Sequence, residues 1–576
     1  MSVSLSPVGG AAGQFFDSNG NPLAGGKLYS YAAGTTTPQT TYTSSSGLTA
    51  NTNPIILNSA GRVPSEIWLT DGVAYKFGLY TAEDQLIGIW DDITGINYIP
   101  ASDIAFVGFK GQVGNIEDLA DADGSDWIGF QPSGTGAVAR SAQDKMQEVM
   151  SVKDFGAVGD GTTNDTAAIQ SAINAAIAQR KALYFPRTTL GSLGLYLITA
   201  PLTISAGIHI FGEGTNYSGL LCQNTTAFQI AAGVNYVTIE HLSLIQQTRY
   251  STTPNTATAI ETLGTTGSRN FWHIYRDLFI DGFEYAFKLS YTWSTVINSV
   301  QSVFGFSGIY APGISVNNYV SNCGFGGSSA ANSVGIQIGD GTVATEGWMI
   351  QDCLLAYFAT GVYGKFASNC HVRGLIIDFF QQYGVFLEST GSGGSTNWII
   401  SDNYMATDNA AASTGVRLKN DFGASVAQHR GTIVSNNQIL TYSGASLSYG
   451  VLQDGTAELR NVITGNRCNA TVYDCYLLTG SQTIVANNQW KGPGFYSDVL
   501  VNYSGNEGVV LSSDQFLKQT NGKNSVYYLT APPVSGAYVL GDIVWSPTPS
   551  AGAPPGWVCV TSGTPGTWKA MANLAV

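Results

Sequence analysis

The chain has 576 residues, only 11% of them charged, and 25 Lys and Arg against 39 Asp and Glu leave a net charge of −14. That balance excludes a nucleic-acid partner, which needs a basic surface to meet phosphate, and argues against an anionic membrane surface. A neutral or polyhydroxylated ligand suits the composition, as does a β-rich shell carrying 69 Gly.

Seven Cys are scattered without a CxxC pair, so no disulfide framework is expected. The N-terminus, MSVSLSPVGGAAGQFF, lacks the basic and apolar regions of a secretory signal. No apolar run approaches the roughly 18 residues of a membrane span. A soluble protein that folds without oxidation is expected.

Residues 1–100 read as a small antiparallel β domain. Short apolar runs at Lys27–Tyr31, Glu66–Leu69, Ala74–Tyr80 and Leu86–Trp90 alternate with turn dipeptides such as Asn19-Gly20 and Asp71-Gly72. Residues 101–150 read as a neck, with short helices over Asn115–Asp121 and Ser141–Met150.

The segment Ser151–Ala176, SVKDFGAVGDGTTNDTAAIQSAINAA, then runs glycine and aspartate turns into an Ala-rich helix. It lacks the Gly-Lys-Ser/Thr ending of a phosphate loop and the ligand spacing of a calcium loop. Its turns are therefore structural, and Asp165 or Thr166 caps the helix. Ile169, Ile173 and Ile177 give that helix one narrow apolar stripe. Strands follow at Ala182–Pro186 and Gly207–Gly212.

After residue 237 the chain repeats the pattern [Ile/Val]-x-x-[Asn/Cys/Leu]-x-[apolar], then a loop, then Gly-[Val/Ile]-x. Copies start at Ile239, Tyr275, Ile297, Val320, Ile350, Val372, Ile400, Val434, Ile463 and Val485. Returning halves include Gly308-Ile309, Gly335-Ile336, Gly361-Val362, Gly384-Val385, Gly415-Val416 and Gly450-Val451. Short strands, no helix and a variable repeat length predict a parallel β-helix over 151–510. Its Asn residues would form an internal ladder. Cys323, Cys353 and Cys468 should point inward as core, and the Ile169/Ile173/Ile177 helix could cap the open end. Residues 511–576 form a last β module rich in Trp545, Trp557, Trp568, Tyr527, Tyr528 and Tyr538, for trimer clamping or sugar binding.

VKDFGAVGDGTTNDTAAIQSAINA resembles the opening segment of pectate-lyase-like right-handed β-helices, common in bacteriophage tailspikes. GQFFDSNGNPLAGGKLYSYAAGTTTPQTTYT with LNSAGRVPSEIWL resembles their head-binding domain. GDIVWSPTPSAGAPPGWVCVTSGTPGTWKA resembles a module at the end of phage fibres and spikes. The resemblance implies a homotrimer, attached to the phage virion by its N-terminal domain, that binds and depolymerises bacterial capsular polysaccharide. Catalytic residues vary so widely among such spikes that none is carried over.

Glycan hydrolysis needs two carboxylates, and neighbouring coils about 4.8 Å apart can supply them. The second repeat position should face outward, which stacks Glu240 on Arg276. The third, at a corner, stacks His241 on Asp277. Glu261 lies in the excursion between these coils, and Asp281, Glu284 and Tyr285 follow. Trp272, Tyr291 and Trp293 add aromatic faces for sugar rings. The expected site therefore comprises Glu240, Asp277, Asp281, Glu261 and Glu284 as catalytic candidates, with Trp272, Arg276, Tyr291, Trp293 and His241 binding substrate. Rival acids are Asp378 with His371 and Arg373, then Asp402, Asp408 and Asp421, then Glu346 and Glu388. His209 is expected to be structural. No cofactor is expected, and the five His show no metal spacing. β-Elimination of a uronate by His241 with Arg276, or His371 with Arg373, and a fibre that grips glycan without cutting are the alternatives.

Overall fold

The computed structural model describes residues 2–96, 106–107, 113–114, 119–188, 195–251, 253–391, 393–409, 412–422, 431–442, 444–455, 461–478, 483–497, 502–504, 517–518, 525–535 and 538–575. The chain divides into two compact units, Met1–Gln147 and Glu148–Val576.

In the first unit, four antiparallel strands pair in the order Ile55–Ile56, Lys27–Ala32, Tyr75–Tyr80, Leu86–Ile93. Three of them start within a residue of the expected apolar runs. Alternation of Leu28, Tyr75, Phe77 and Leu79 puts one face of the sheet into a core with Ile55, Ile67 and Leu69. The helix expected over Ser141–Met150 is shorter, Ala142–Met146, with the Ser141 hydroxyl accepting from the Asp144 amide at 3.1 Å. It stops because Val149–Ser151 pairs with Ala182–Phe185 as a strand of the second unit. Most of Asn115–Asp121 lies outside the described residues.

The second unit is a right-handed parallel β-helix. Among the described residues its strands form a 24-stranded first sheet and a 12-stranded second sheet. Each coil bends the first sheet at one residue in the left-handed conformation: Val237–Gln246 and Ile274–Asp281 run through the bend as one strand, and most later coils break there into two short strands. His241 (φ 57°), Asp277 (50°), Asn322 (54°), Asp402 (59°), Asn436 (56°) and Gly465 (68°) are such corners, all at the third repeat position. Asn, Asp and Gly recur there because short polar side chains and Gly tolerate positive φ best. The first, fourth and sixth positions turn inward, as Ile239, Leu242 and Leu244 do in the first copy.

The returning half supplies the second sheet. A Cβ on Gly384 would lie 2.6 Å from the Gly415 carbonyl oxygen and 2.9 Å from the Met405 sulfur. Gly308, Gly335, Gly361 and Gly415 are equally tight against the next coil. Stacking the coils at strand spacing therefore requires glycine in this column.

Inside, Asn403, Asn437, Asn466 and Asn488 form the expected ladder, each Nδ2 donating to the next Oδ1 at 2.9–3.0 Å. Cys323, Cys353 and Cys468 are buried. The helix Thr166–Gln179 buries Ile169, Ala172, Ile173 and Ala176 against the first strands of the coil, capping its end. Asp165 precedes it, but its carboxylate accepts from the Val158 and Gly159 amides at 2.7 and 3.0 Å instead of capping. Asp160 accepts from the Thr162 and Thr163 amides, which hold its carboxyl far below the usual range. The loop's carboxylates thus serve its own turns.

At the C-terminal end, a five-stranded sheet runs in the order Leu517–Lys518, Ser525–Tyr528, Ile543–Trp545, Gly556–Thr561, Thr567–Ala570. Tyr538, Val544 and Cys559 form its core, with Trp557 and Trp568 packed on it. Three of the aromatics expected to meet sugar or a partner are therefore spent on the module's own packing.

Candidate active site

The residues nominated from sequence are distributed over three sides of the coil. On the first sheet, Glu240 pairs in register with Arg276, as expected. Glu240 accepts from Arg276 Nε, and its other oxygen lies 2.8 Å from His209 Nε2. The outward position is thus covered, and Glu240 is only 5% exposed. Burial raises its pKa, but hydrogen bonds from Arg276 and His209 outweigh this and leave it below the ordinary value. His241 Nδ1 lies 3.6 Å from Asp277 Oδ2, both half-exposed at successive corners.

On the side leading back to the first sheet, Trp293 stacks on Phe271 at 5.2 Å, with the Arg269 guanidinium 4.2 Å from its centroid. Trp272 stacks on Tyr236 at 5.1 Å. The Tyr291 ring fills the space beside Gly313. The ring partners of Trp272 and Trp293 are other aromatics and a cation, so the single acid-and-tryptophan cluster drawn from sequence separates here.

Asp281 and Glu284 flank the corner that opens the second sheet, and Glu261 lies farther along that sheet, opposite Lys288 and four positions on from the register of Glu284. Arg249, in the excursion loop, donates to both Asp281 oxygens at 2.6–3.0 Å. Asp281 is 3% exposed, so this pair clamps the loop to the coil. Three residues on, Glu284 is half-buried beside Tyr250 and Tyr285. Burial pushes its carboxyl above the ordinary value, against the hydrogen bond of Tyr285 and the charge of Lys288. Glu261, one coil earlier on the second sheet, pairs in register with Lys288. It accepts from Lys288 Nζ at 2.8 Å and Gln229 Nε2 at 2.9 Å. Lys288 therefore bridges the electrostatics of two carboxyl groups in unlike surroundings. Rings line the place: Tyr285 stacks on Tyr310 at 5.3 Å and meets the Phe306 edge at 6.4 Å.

From Lys288 an outward column climbs the second sheet through Tyr310, Gln337, Tyr363, Phe386 and Arg417, one residue per coil. Tyr363 and Phe386 stack at 5.0 Å. Sequence reasoning missed this column, although each residue from Tyr310 to Arg417 is the variable third letter of a Gly-[Val/Ile]-x triplet. Beside it, Glu388 accepts from the Tyr363 hydroxyl and from Lys419 Nζ at 3.1 Å. Burial opposes them, but these bonds keep Glu388 below its ordinary pKa. Other rival acids are engaged too. Asp402 lies 3.4 Å from Arg373, Asp378 accepts from the Tyr442 hydroxyl at 2.9 Å, and Glu346 accepts from Asn369 at 2.8 Å. Asp408 lies 3.5 Å from Gln381 Nε2, and the Asp421 side chain is outside the described residues.

Residues 149–433 match the family model described as rhamnogalacturonase A/epimerase, pectate lyase-like. The tail spike protein of Shigella phage Sf6 is 23% identical over 395 residues, covering 62% of this chain and 63% of that one. A depolymerase of Klebsiella phage K5-2, named as specific for capsules K30 and K69, is 38% identical over 96 residues, 17% of this chain and 12% of its own. The chain thus spans less than two thirds of the length of each of these relatives. Among solved structures, a mutant tailspike protein of E. coli bacteriophage HK620 in complex with pentasaccharide aligns with a TM-score of 0.49 at 12% identity, covering 65% of this chain and 71% of that chain. The body of the chain is a pectate-lyase-like β-helix, and the chain is a relative of phage tail spike proteins.

Proposed function

We propose that the protein is a phage tailspike that binds a bacterial capsular polysaccharide and cuts it by glycoside hydrolysis, with Glu284 as acid and Glu261, farther along the same sheet opposite Lys288, as base. The observation that carries the reading is the pair's contrast. Burial favours a protonated Glu284, able to donate to a leaving oxygen, while Glu261 meets a lysine and an amide as a carboxylate should. Acid and base roles are set by environments of this kind. Tyr250, Tyr285 and Tyr310 give flat apolar faces for sugar rings beside these groups. Relatives that are a tail spike protein and a capsule-specific depolymerase support the substrate class and a place on the virion tail, acting at the bacterial surface.

In this reading Glu240 with Arg276 and Asp281 with Arg249 hold coils and loop in place. Elimination is less favoured because the cations it would use are engaged, Arg276 by Glu240 and Arg373 by Asp402. Residues 1–100 would anchor the spike to the virion. A homotrimer is supported by an outward apolar column on the first sheet, in register through Ile274, Val296, Tyr319, Met349, His371, Ile399, Ile433, Val462 and Ile484. Ile274, Tyr319, Ile433 and Ile484 are 37–48% exposed within one chain, the kind of patch a partner copy covers.

The test is to incubate purified protein with a panel of capsular polysaccharides and assay new reducing ends. Glu284→Gln and Glu261→Gln should each lower the rate at least about 100-fold, the scale of general acid–base catalysis, while still binding polymer. Product absorbing at 235 nm would establish a lyase instead. Binding without any cutting would leave a gripping fibre.

A further inference from the structure

A groove of about 760 Å³ opens farther along the same edge of the coil. Its walls include Gln381, Gln382, Tyr383, Asn409, Arg417 and Tyr449, and no Asp or Glu is among the described residues that line it. Arg417 is its one charged group. Its Nη2 and Nε donate to Asp454 at 2.7 and 3.3 Å, and its Nη1 to the Tyr383 hydroxyl at 2.7 Å. The guanidinium also lies 5.3 Å from the Phe386 centroid. The charge is therefore neutralised within the wall, and the groove offers rings, amides and hydroxyls. That chemistry fits an uncharged, hydroxyl-rich ring: apolar faces for its C–H side and amides for its hydroxyls.

The groove is also aligned with the Glu284 corner. Tyr285 pairs with Ser307, Ser307 with Val334, Val334 with Thr360, and Thr360 with Tyr383. Four steps of about 4.8 Å put Tyr383 about 19 Å along the coil axis from Tyr285. Tyr310, Gln337, Tyr363 and Phe386 pave the interval beside that line. One extended polymer can lie on the whole track.

We propose that this groove holds uncharged pyranose units of the polysaccharide as a gripping site that does not cut, about 19 Å from the Glu261/Glu284 pair. The inference rests on the proposed function for the identity of its ligand. With no carboxyl among the described residues that line it, and Asp454 behind them held by Arg417, the groove lacks the free acid and base that hydrolysis needs. Its role is to keep the polymer on the spike between cuts.

The experiment uses the full chain and, as probe, the purified capsular polysaccharide that the native protein depolymerises or binds within a panel. Binding is measured in the Glu284→Gln protein, or in the native one if it binds without cutting. Adding Tyr449→Ala should weaken the dissociation constant about ten-fold, and Tyr449→Phe should keep it. Gln382→Ala, at an exposed side chain, gives a second reading should Tyr449→Ala fold poorly. Constants within two-fold of the parent for both Tyr449→Ala and Gln382→Ala would overturn the groove while leaving the function intact. A protein that neither cuts nor binds any panel member would overturn both.

Discussion

His273 makes the acid stability of the β-helix calculable. Its ring is fully buried inside the coil, and its Nδ1 accepts from the Val237 amide at 3.2 Å. Burial alone pushes its pKa down from 6.5 to about 4. The unfolded chain takes up a proton at this site first, so folding stability is full above about pH 6.5 and falls as pH drops toward 4. At pH 4.5 the difference amounts to about 2–3 kcal/mol, from roughly 1.4 kcal/mol per unit less the fraction already protonated in the fold. Asparagine is the substitution to use. Asn318 and Asn461 make the same bond elsewhere in the interior, accepting from the Thr295 and Thr432 amides at 2.9 and 2.7 Å. His273→Asn therefore keeps the acceptor and removes the titration. Denaturant unfolding of both proteins at pH 7.5 and 4.5 should show the native chain losing about 2–3 kcal/mol more than the variant. Other groups titrate in both and cancel. Curves running parallel within about 0.5 kcal/mol would mean that the buried ring carries no such penalty.

Asn437→Ala should destabilise the β-helix by about 2–4 kcal/mol, since it strips partners from the buried Asn403 and Asn466; denaturant midpoints measure it. Gly384→Ala should cost more than a surface Gly→Ala, because its Cβ meets a carbonyl at 2.6 Å, and a melting temperature equal to the parent's would refute the packing argument. If Glu284 is the acid, log kcat/KM should fall as pH rises through its elevated pKa, and Glu284→Gln should abolish that limb together with the activity. Ile433→Lys, placing a charge in the outward apolar column, should shift the oligomer toward monomer in light scattering, with the monomer's β signal retained.

The fold was legible because its constraints repeat. Ile239, Leu242 and Leu244 write the inward side of a coil, His241 and Asp277 mark its corners, and each Gly-[Val/Ile] marks the return. A register counted from those letters put Glu240 opposite Arg276. It also suggested that closeness in sequence means closeness in space, and here the geometry differs. Between Arg276 and Trp293 the chain turns three times, at Asp277, Gly282 and Tyr291, so Asp277, Glu284 and Trp293 fall on different sides of the coil. What Glu240 and Asp281 do depends on Arg276, His209 and Arg249 reaching across coils and a loop, which spacing does not encode. The column from Tyr310 to Arg417 was readable in principle, as the third letter of the same triplets, once their outward direction was given weight. The groove at Tyr383 and Tyr449 was not, because its walls come from residues up to 123 positions apart, Ser329 to Leu452.

The Gly-[Val/Ile]-x triplet divides labour between heredity and novelty. Its glycine is fixed by the carbonyl of the next coil and its aliphatic residue by the core, so neither can change without harm to the whole stack. The third letter touches neither. On the proposed function, a lineage meeting a new host coat can respell Tyr310 and Gln337 one coil at a time, whereas Tyr363 and Arg417 also hold Glu388 and Asp454 and change at a cost. The backbone that resists mutation most strongly thus carries, on its outer edge, a line of text open to revision.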